Sequence, residues 1–199
     1  MIHPSTKLLF INEQIGHGVV ATQLIPAGTI VWTMDQLDRI IDPSEFLGKE
    51  DLYEELLDTY CYKNHEGKYV LCWDYSKYMN HSFRPNTIST AYYFDIAIRD
   101  IQKGEEVTCD YGYLNVEEPF YPLEEGTERK VVYPDDLVNF HHIWDQQLLE
   151  TFPRALKVKQ PLKPLMAPEI WDEILRICEG QSELKSTLNL LWKENIRVS

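Results

Sequence analysis

The stretch YMNHSFRPNTISTAYYFDIAIRDIQKGEEVTCDYGY, residues Tyr78–Tyr113, decides the fold. Two short polar motifs, NHSFRPN (Asn80–Asn86) and DYGY (Asp110–Tyr113), bracket a run in which Ile88, Tyr92, Phe94, Ile96 and Ile98 recur with a strand's period of two. That pattern predicts one long strand from Thr87 to Asp100. In the first motif Asn80, His81 and Ser82 offer hydrogen-bonding groups, and Pro85 with Asn86 turns the backbone. This is a loop suited to holding a ligand. In the second, Lys103-Gly104 closes a turn and Val107–Tyr111 returns as the other arm of a hairpin. Tyr111 and Tyr113 flank Gly112, where a close backbone approach is tolerated. Phenol hydroxyls therefore stand at a strand's end.

Upstream, Lys7–Asn12 and Gly18–Thr22 read as strands joined by a turn at Ile15–His17, and Pro26-Ala27-Gly28 turns the chain into Thr29–Thr33. Gly16 and Gly18 either make a plain hairpin turn or let bare backbone approach a ligand. Asp42-Pro43-Ser44 starts a helix over about 43–60, interrupted at Gly48, with Leu52, Tyr53, Leu56, Leu57 and Tyr60 at helical spacing. Its other face carries Glu50, Asp51, Glu54, Glu55 and Asp58: a solvated face, or one that attracts a basic peptide. Lys68–Trp73 alternates as a strand. After Asn115 comes an acidic loop to Gly126, then a helix from Asp135-Asp136 to Phe152, stopped at Pro153. Pro161, Pro164 and Pro168 punctuate a spacer, and helices follow over 168–178 and 182–195, with Gly180 as a C-cap between them.

The 199 residues fit one domain with or without an appendage. A formal charge of -13 argues against unaided binding to nucleic acid or an anionic membrane and favours a basic partner. Cys61, Cys72, Cys109 and Cys178 form no CxxC pair, and His141-His142 has no partner at metal spacing, so no metal site is expected. No apolar run approaches the roughly 18 residues of a membrane span. The expectation is a soluble intracellular chain, cytoplasmic or nuclear, with signal-less export left open. A hydrolase built on Ser82, His81 and Asp110 is set aside, because adjacent His81 and Ser82 are poorly oriented as base and nucleophile.

Taken in order, GHGVVA (Gly16–Ala21) with Pro26-Ala27-Gly28, NHSFRPN and DYGY resemble the signature of SET-domain protein-lysine methyltransferases, over about the first three-fifths of the chain. The resemblance implies an α+β, β-clip-like fold of small sheets, with a knot-like crossing that brings Asn80 and Tyr111 together. It implies a SET domain over 1–116, with a helical insert about 42–60, and a helical C-terminal extension over 117–199. It also implies S-adenosyl-L-methionine as methyl donor, held by Gly16, His17, Gly18, Asn80, His81 and Tyr111. Tyr111 is then the catalytic hydroxyl, and Tyr60, Tyr62 and Tyr113 line the lysine channel. The expected substrate is a basic protein such as a histone, or a ribosomal or translation protein; a non-catalytic SET-like interaction module is the alternative. Two departures from the pattern stand out. Lys77 lies near the position of a usual arginine, and Phe83 replaces the cysteine that commonly joins a C-terminal zinc cluster, whose cysteines are also missing. The C-terminal helices are expected to pack over the site in that cluster's place, or to form a homodimer surface.

Overall fold

A computed structural model describes residues 1–193. Strands β1 (Thr6–Asn12) and β2 (Gly16–Ala21) form an antiparallel hairpin, from Thr6 opposite Ala21 to Asn12 opposite Gly16. Asn12 Oδ1 accepts from the Gln14 and Ile15 amides, both at 2.9 Å, so the turn lies at 13–15, just upstream of the expected one. Gly28 (φ +91°) then leads into β3 (Ile30–Thr33). A Cβ there would lie 2.6 Å from Arg154 Cβ, so the close approach of the C-terminal segment requires glycine at this turn.

After β4 (Arg39–Ile41), Asp42 caps a 3-10 turn over Pro43–Phe46 in a capping box with Glu45. The chain breaks at Gly48, as its sequence suggests, and resumes as α1 (Glu50–Tyr60). Of the apolar stripe on α1 only Leu57 is buried; Leu52 is 80% exposed. β5 (Cys61–Lys63) and β6 (Tyr69–Leu71) complete a sheet ordered β4-β6-β5. A 3-10 turn over Tyr75–Tyr78, capped by Asp74, delivers β7 (Asn80–His81).

The long strand expected over 87–100 is two strands, β8 (Thr87–Ser89) and β9 (Phe94–Ala97), paired antiparallel. The bend holds because Thr90 Oγ1 donates to the Phe94 carbonyl at 2.8 Å and Tyr93 takes φ 61°. Neither residue announces a turn. β9 also pairs with β3, giving the order β3-β9-β8. The expected hairpin return is likewise different: β10 (Thr108–Cys109) runs parallel to β7, with Thr108 opposite Asn80 and Cys109 opposite His81.

Helices α2 (Asp136–Thr151) and α3 (Pro168–Cys178) follow, with Gly180 at φ 72° just past α3. The helix expected over 182–195 is absent among the described residues, which show only a 3-10 turn at Thr187–Leu190; positions 194 and 195 lie outside them. Polar anchoring accounts for the difference. Thr187 N and Oγ1 both donate to Asp145 Oδ1, and Asn115 Nδ2 donates to the Leu190 carbonyl while its Oδ1 accepts from Trp192 N. The molecule is thus an α+β assembly of four small sheets and three α-helices among the described residues. Its core joins Ile30, Ile88, Ile96 and Val107 to Leu137, Trp144, Leu148 and Phe152. Each such buried aliphatic contributes about 1.5–3 kcal/mol.

Candidate functional site

The β7–β10 pair places the two polar motifs side by side. Asp110 Oδ1 accepts from Gly112 N at 2.9 Å and so shapes the turn that carries both tyrosines. The Tyr111 hydroxyl donates to the Met79 carbonyl at 3.0 Å, and the Tyr111 amide donates to His81 Nδ1 at 3.1 Å. With Nδ1 accepting, the proton of a neutral His81 sits on Nε2, which is buried and lacks a hydrogen-bond partner. Burial pushes the His81 pKa down to about 4, against the opposing pull of Asp110. His81 is therefore neutral near pH 7. Its ring packs on Phe83, Tyr111 and Phe120, with centroids at 4.3, 5.4 and 5.9 Å.

Asn80 Nδ2 donates to the His17 carbonyl at 3.0 Å and to Glu106 Oε1 at 2.6 Å. A Cβ at Gly18 would come within 2.3 Å of Glu106 Oε1 and 2.9 Å of Asn80 Nδ2, so any other residue there would push these two side chains from their places. Gly16, His17, Gly18 and Asn80 are thereby held together, and His81 joins them to Tyr111 through the Tyr111 amide. Tyr111 also lines a cavity of about 360 Å³, walled by Trp32, Tyr60, Tyr62, Tyr69 and Met79 among others. Asp58, Glu117 and Glu118 also line it, with Lys63 and Lys77. Lys63 pairs with Glu117 and lies 4.7 Å from the Trp192 ring centroid. Burial pushes the phenol pKa values of Tyr62 and Tyr111 well up, so both rings keep their protons as donors. Three thiols share the cavity. Burial raises Cys61 to about 11 and Cys72 to about 12, and holds Cys109 well above the usual thiol range.

Tyr60, Tyr62 and Tyr111 thus meet in one cavity, but Tyr113 does not line it. Its hydroxyl accepts from Asp110 N at 2.9 Å and donates to the Thr87 carbonyl at 3.1 Å, and its ring meets Trp144 edge-on. With both hydroxyl functions bound to backbone and 2% exposure, it braces the turn instead.

Three side chains carry little signal in the sequence. Arg129 grips Asp110 through Nη1–Oδ2 at 2.5 Å and Nη2–Oδ1 at 3.3 Å, and reaches Asp136 Oδ2 at 2.5 Å. Its guanidinium lies over Phe83 and Phe140, 4.7 and 4.5 Å from their centroids. Glu125 Oε2 accepts from Ser82 Oγ at 2.9 Å and from Phe83 N at 3.1 Å. The segment after the core therefore clamps both polar motifs. Its one mark in the sequence is Arg129 itself, a cation following the acids of the 117–126 loop. Asp95, the third, sits on β9 as a charge within an apolar strand. No group of three His, Cys, Asp or Glu side chains among the described residues could hold a metal ion. No helix among them is long and apolar enough to cross a membrane.

Histone-lysine N-methyltransferase Set2 of Drosophila melanogaster is 30% identical over 118 residues, covering 53% of this chain. The chain spans 5% of that relative's length. The matching family is the SET domain, over residues 16–112, the stretch that runs from Gly16 through the NHS loop to Gly112. The match spans just under half of the chain and takes in the site built around Asn80, His81 and Tyr111.

Proposed function

We propose that the protein is an S-adenosyl-L-methionine-dependent protein-lysine N-methyltransferase acting on a basic protein. The observation that carries this reading is the pair of contacts at Tyr111: its amide bonds to His81 of the Gly16–Gly18/Asn80/His81 cluster, while its hydroxyl is fixed on the carbonyl of Met79, and both residues line the aromatic cavity. The residues present fit the methyl donor. The bare backbone at Gly18 leaves room for the Asn80 amide on the His17 carbonyl, and His81 Nε2 is a buried donor in need of an acceptor. Gly16, His17, Gly18, Asn80 and His81 would hold it, and it supplies an electrophilic methyl when bound.

The chain's own residues then have three tasks. Tyr60 and Tyr62 wall a channel that excludes water and disfavours an ammonium, lowering the pKa of an entering lysine. Tyr111 aligns the amine for in-line attack. With Glu117 paired to Lys63, the carboxylates of Asp58, Asp95 and Glu118 still outnumber Lys77, leaving the lining net acidic and matched to a basic peptide. The name of the Set2 relative makes a histone the first substrate to try. The parallel β7–β10 pairing is the contact through which a knot-like crossing would join Asn80 to Tyr111.

Transfer of labelled methyl groups from S-adenosyl-L-methionine into core histones and basic cell-extract proteins tests this. Tyr111→Phe should lower transfer on the order of 100-fold while donor affinity by calorimetry changes little. Equal transfer by the variant removes Tyr111 from the chemistry. Absence of donor binding by the wild type would turn the reading to a binding module.

A further inference from the structure

The aromatic cavity has a polar end that the alignment role of Tyr111 leaves unused. Asp95 lies on β9, paired through its backbone with Trp32 on β3 and Ser89 on β8, and all three residues line the cavity. Asp95 is 8% exposed, and the Ser89 hydroxyl is the side chain that bonds to its carboxyl. Beside it, Trp32 is 5% exposed and its indole N–H has no partner. A buried donor left unmade costs about 1–3 kcal/mol, and a buried carboxylate that a neutral hydroxyl bonds to still lacks a cation in contact to offset its desolvation. A cavity built only to exclude water would carry none of these. An occupant bringing cationic N–H groups satisfies the carboxylate, and water carried with it satisfies the indole.

Resting on the lysine-methylation reading, we propose that Asp95 is the residue that recognises the target amine and takes its proton. The ammonium enters past Tyr60 and Tyr62 and donates an N–H to the Asp95 carboxylate. The proton passes across, giving a neutral amine and a neutral carboxylic acid, and the freed lone pair would then form the N–CH3 bond as the donor's S–CH3 bond breaks and its electron pair leaves on the sulfur of S-adenosyl-L-homocysteine. The alkylated nitrogen becomes cationic, and Asp95 returns its proton to solvent through the cavity mouth. Burial favours this exchange from both sides, because a neutral pair needs less solvation than an ion pair in an apolar cavity. It pushes the Asp95 carboxyl up to about 6, close to the pH at which it must both accept and release. The groups facing it are Tyr62, Cys72, Cys109 and Tyr113, all held protonated by burial, and the Met1 ammonium, which pulls the other way. Asp95 is thus the group there that titrates near pH 6.

Two measurements on the full chain test it. Calorimetry with n-butylammonium, in the presence of S-adenosyl-L-homocysteine, should show binding to wild type weakened at least about tenfold in Asp95→Asn. The pH profile of kcat/KM for methyl transfer to core histones should fall through about pH 6 in wild type and in Asp95→Glu. In Asp95→Asn that limb should vanish along with most turnover. The S-adenosyl-L-homocysteine affinity of Asp95→Asn should match wild type, and its Tm at pH 7.5 should equal or exceed it, since a buried charge has been removed. A lowered Tm with unchanged amine binding would make Asp95 structural. Equal transfer and an equal pH profile in Asp95→Asn would overturn the proposal while leaving lysine methylation standing. Failure of the wild type to bind S-adenosyl-L-homocysteine would overturn both.

Discussion

Arg129 shows how much one side chain can carry. It lies beyond the SET match, yet it neutralises Asp110, whose other duty is to accept Gly112 N and so set the direction of Tyr111. A planar fork suits this task because it satisfies Asp110 twice and Asp136 once while stacking on Phe83 and Phe140. Arg129→Ala leaves two buried carboxylates facing each other and should cost about 3–5 kcal/mol, read as a fall in urea midpoint. Arg129→Lys keeps the charge but loses the fork, so it should recover only part of that. Full recovery would show that charge alone matters here. Phe83 belongs to the same account. Where the family pattern suggests a metal-binding thiol, this chain has a ring under a guanidinium, and the surroundings are held by ion pair and stacking.

At the scale of elements, the tight bends are where sequence and structure part. The 87–100 run alternates well enough to suggest one strand, but its fold-back uses Thr90 as a side-chain acceptor and donor and puts a tyrosine at φ 61°. A left-handed non-glycine residue carries about 1–2 kcal/mol of strain. Tyr93→Gly should therefore change stability by no more than about 1 kcal/mol despite removing a ring that packs near His65, and thermal denaturation can measure it. A larger loss would mean that the ring contact outweighs the strain. The first hairpin, the helix break at Gly48 and the ends of α3 were legible because glycine, proline and capping residues mark them. The parallel β7–β10 pairing was not, since it joins two dipeptides with no local signal. Nor was the extended course after Gly180, where Asp145 and Asn115, both distant in sequence, supply the partners that a helix would have supplied internally.

Across the whole molecule, the order of the motifs carried the family, and the family carried the roles proposed for Gly16–Gly18, Asn80, His81 and Tyr111. The enclosure of the cavity was beyond reach, because it depends on a β-sheet (β3-β9-β8), a short strand after α1 and the segment over 114–120 converging from separate stretches of chain. Asp95 and Tyr113 illustrate the two directions of that error. Asp95 has the sequence setting of an exposed polar position on a strand, yet it faces the cavity; Tyr113 has the setting of a channel residue, yet it braces a turn. The same convergence has a practical side. Three of the four cysteines face one chamber, whereas Cys178 lies elsewhere, its thiol donating to the Phe152 carbonyl at 3.2 Å. Burial holds the chamber's thiols protonated, so they react slowly and only when the space is open. Counting alkyl groups by intact mass after timed exposure to iodoacetamide would then gauge occupancy with no turnover required. A ligand seated in the chamber should shield Cys61, Cys72 and Cys109 together while Cys178 keeps its pace, an internal clock against which any candidate substrate can be judged.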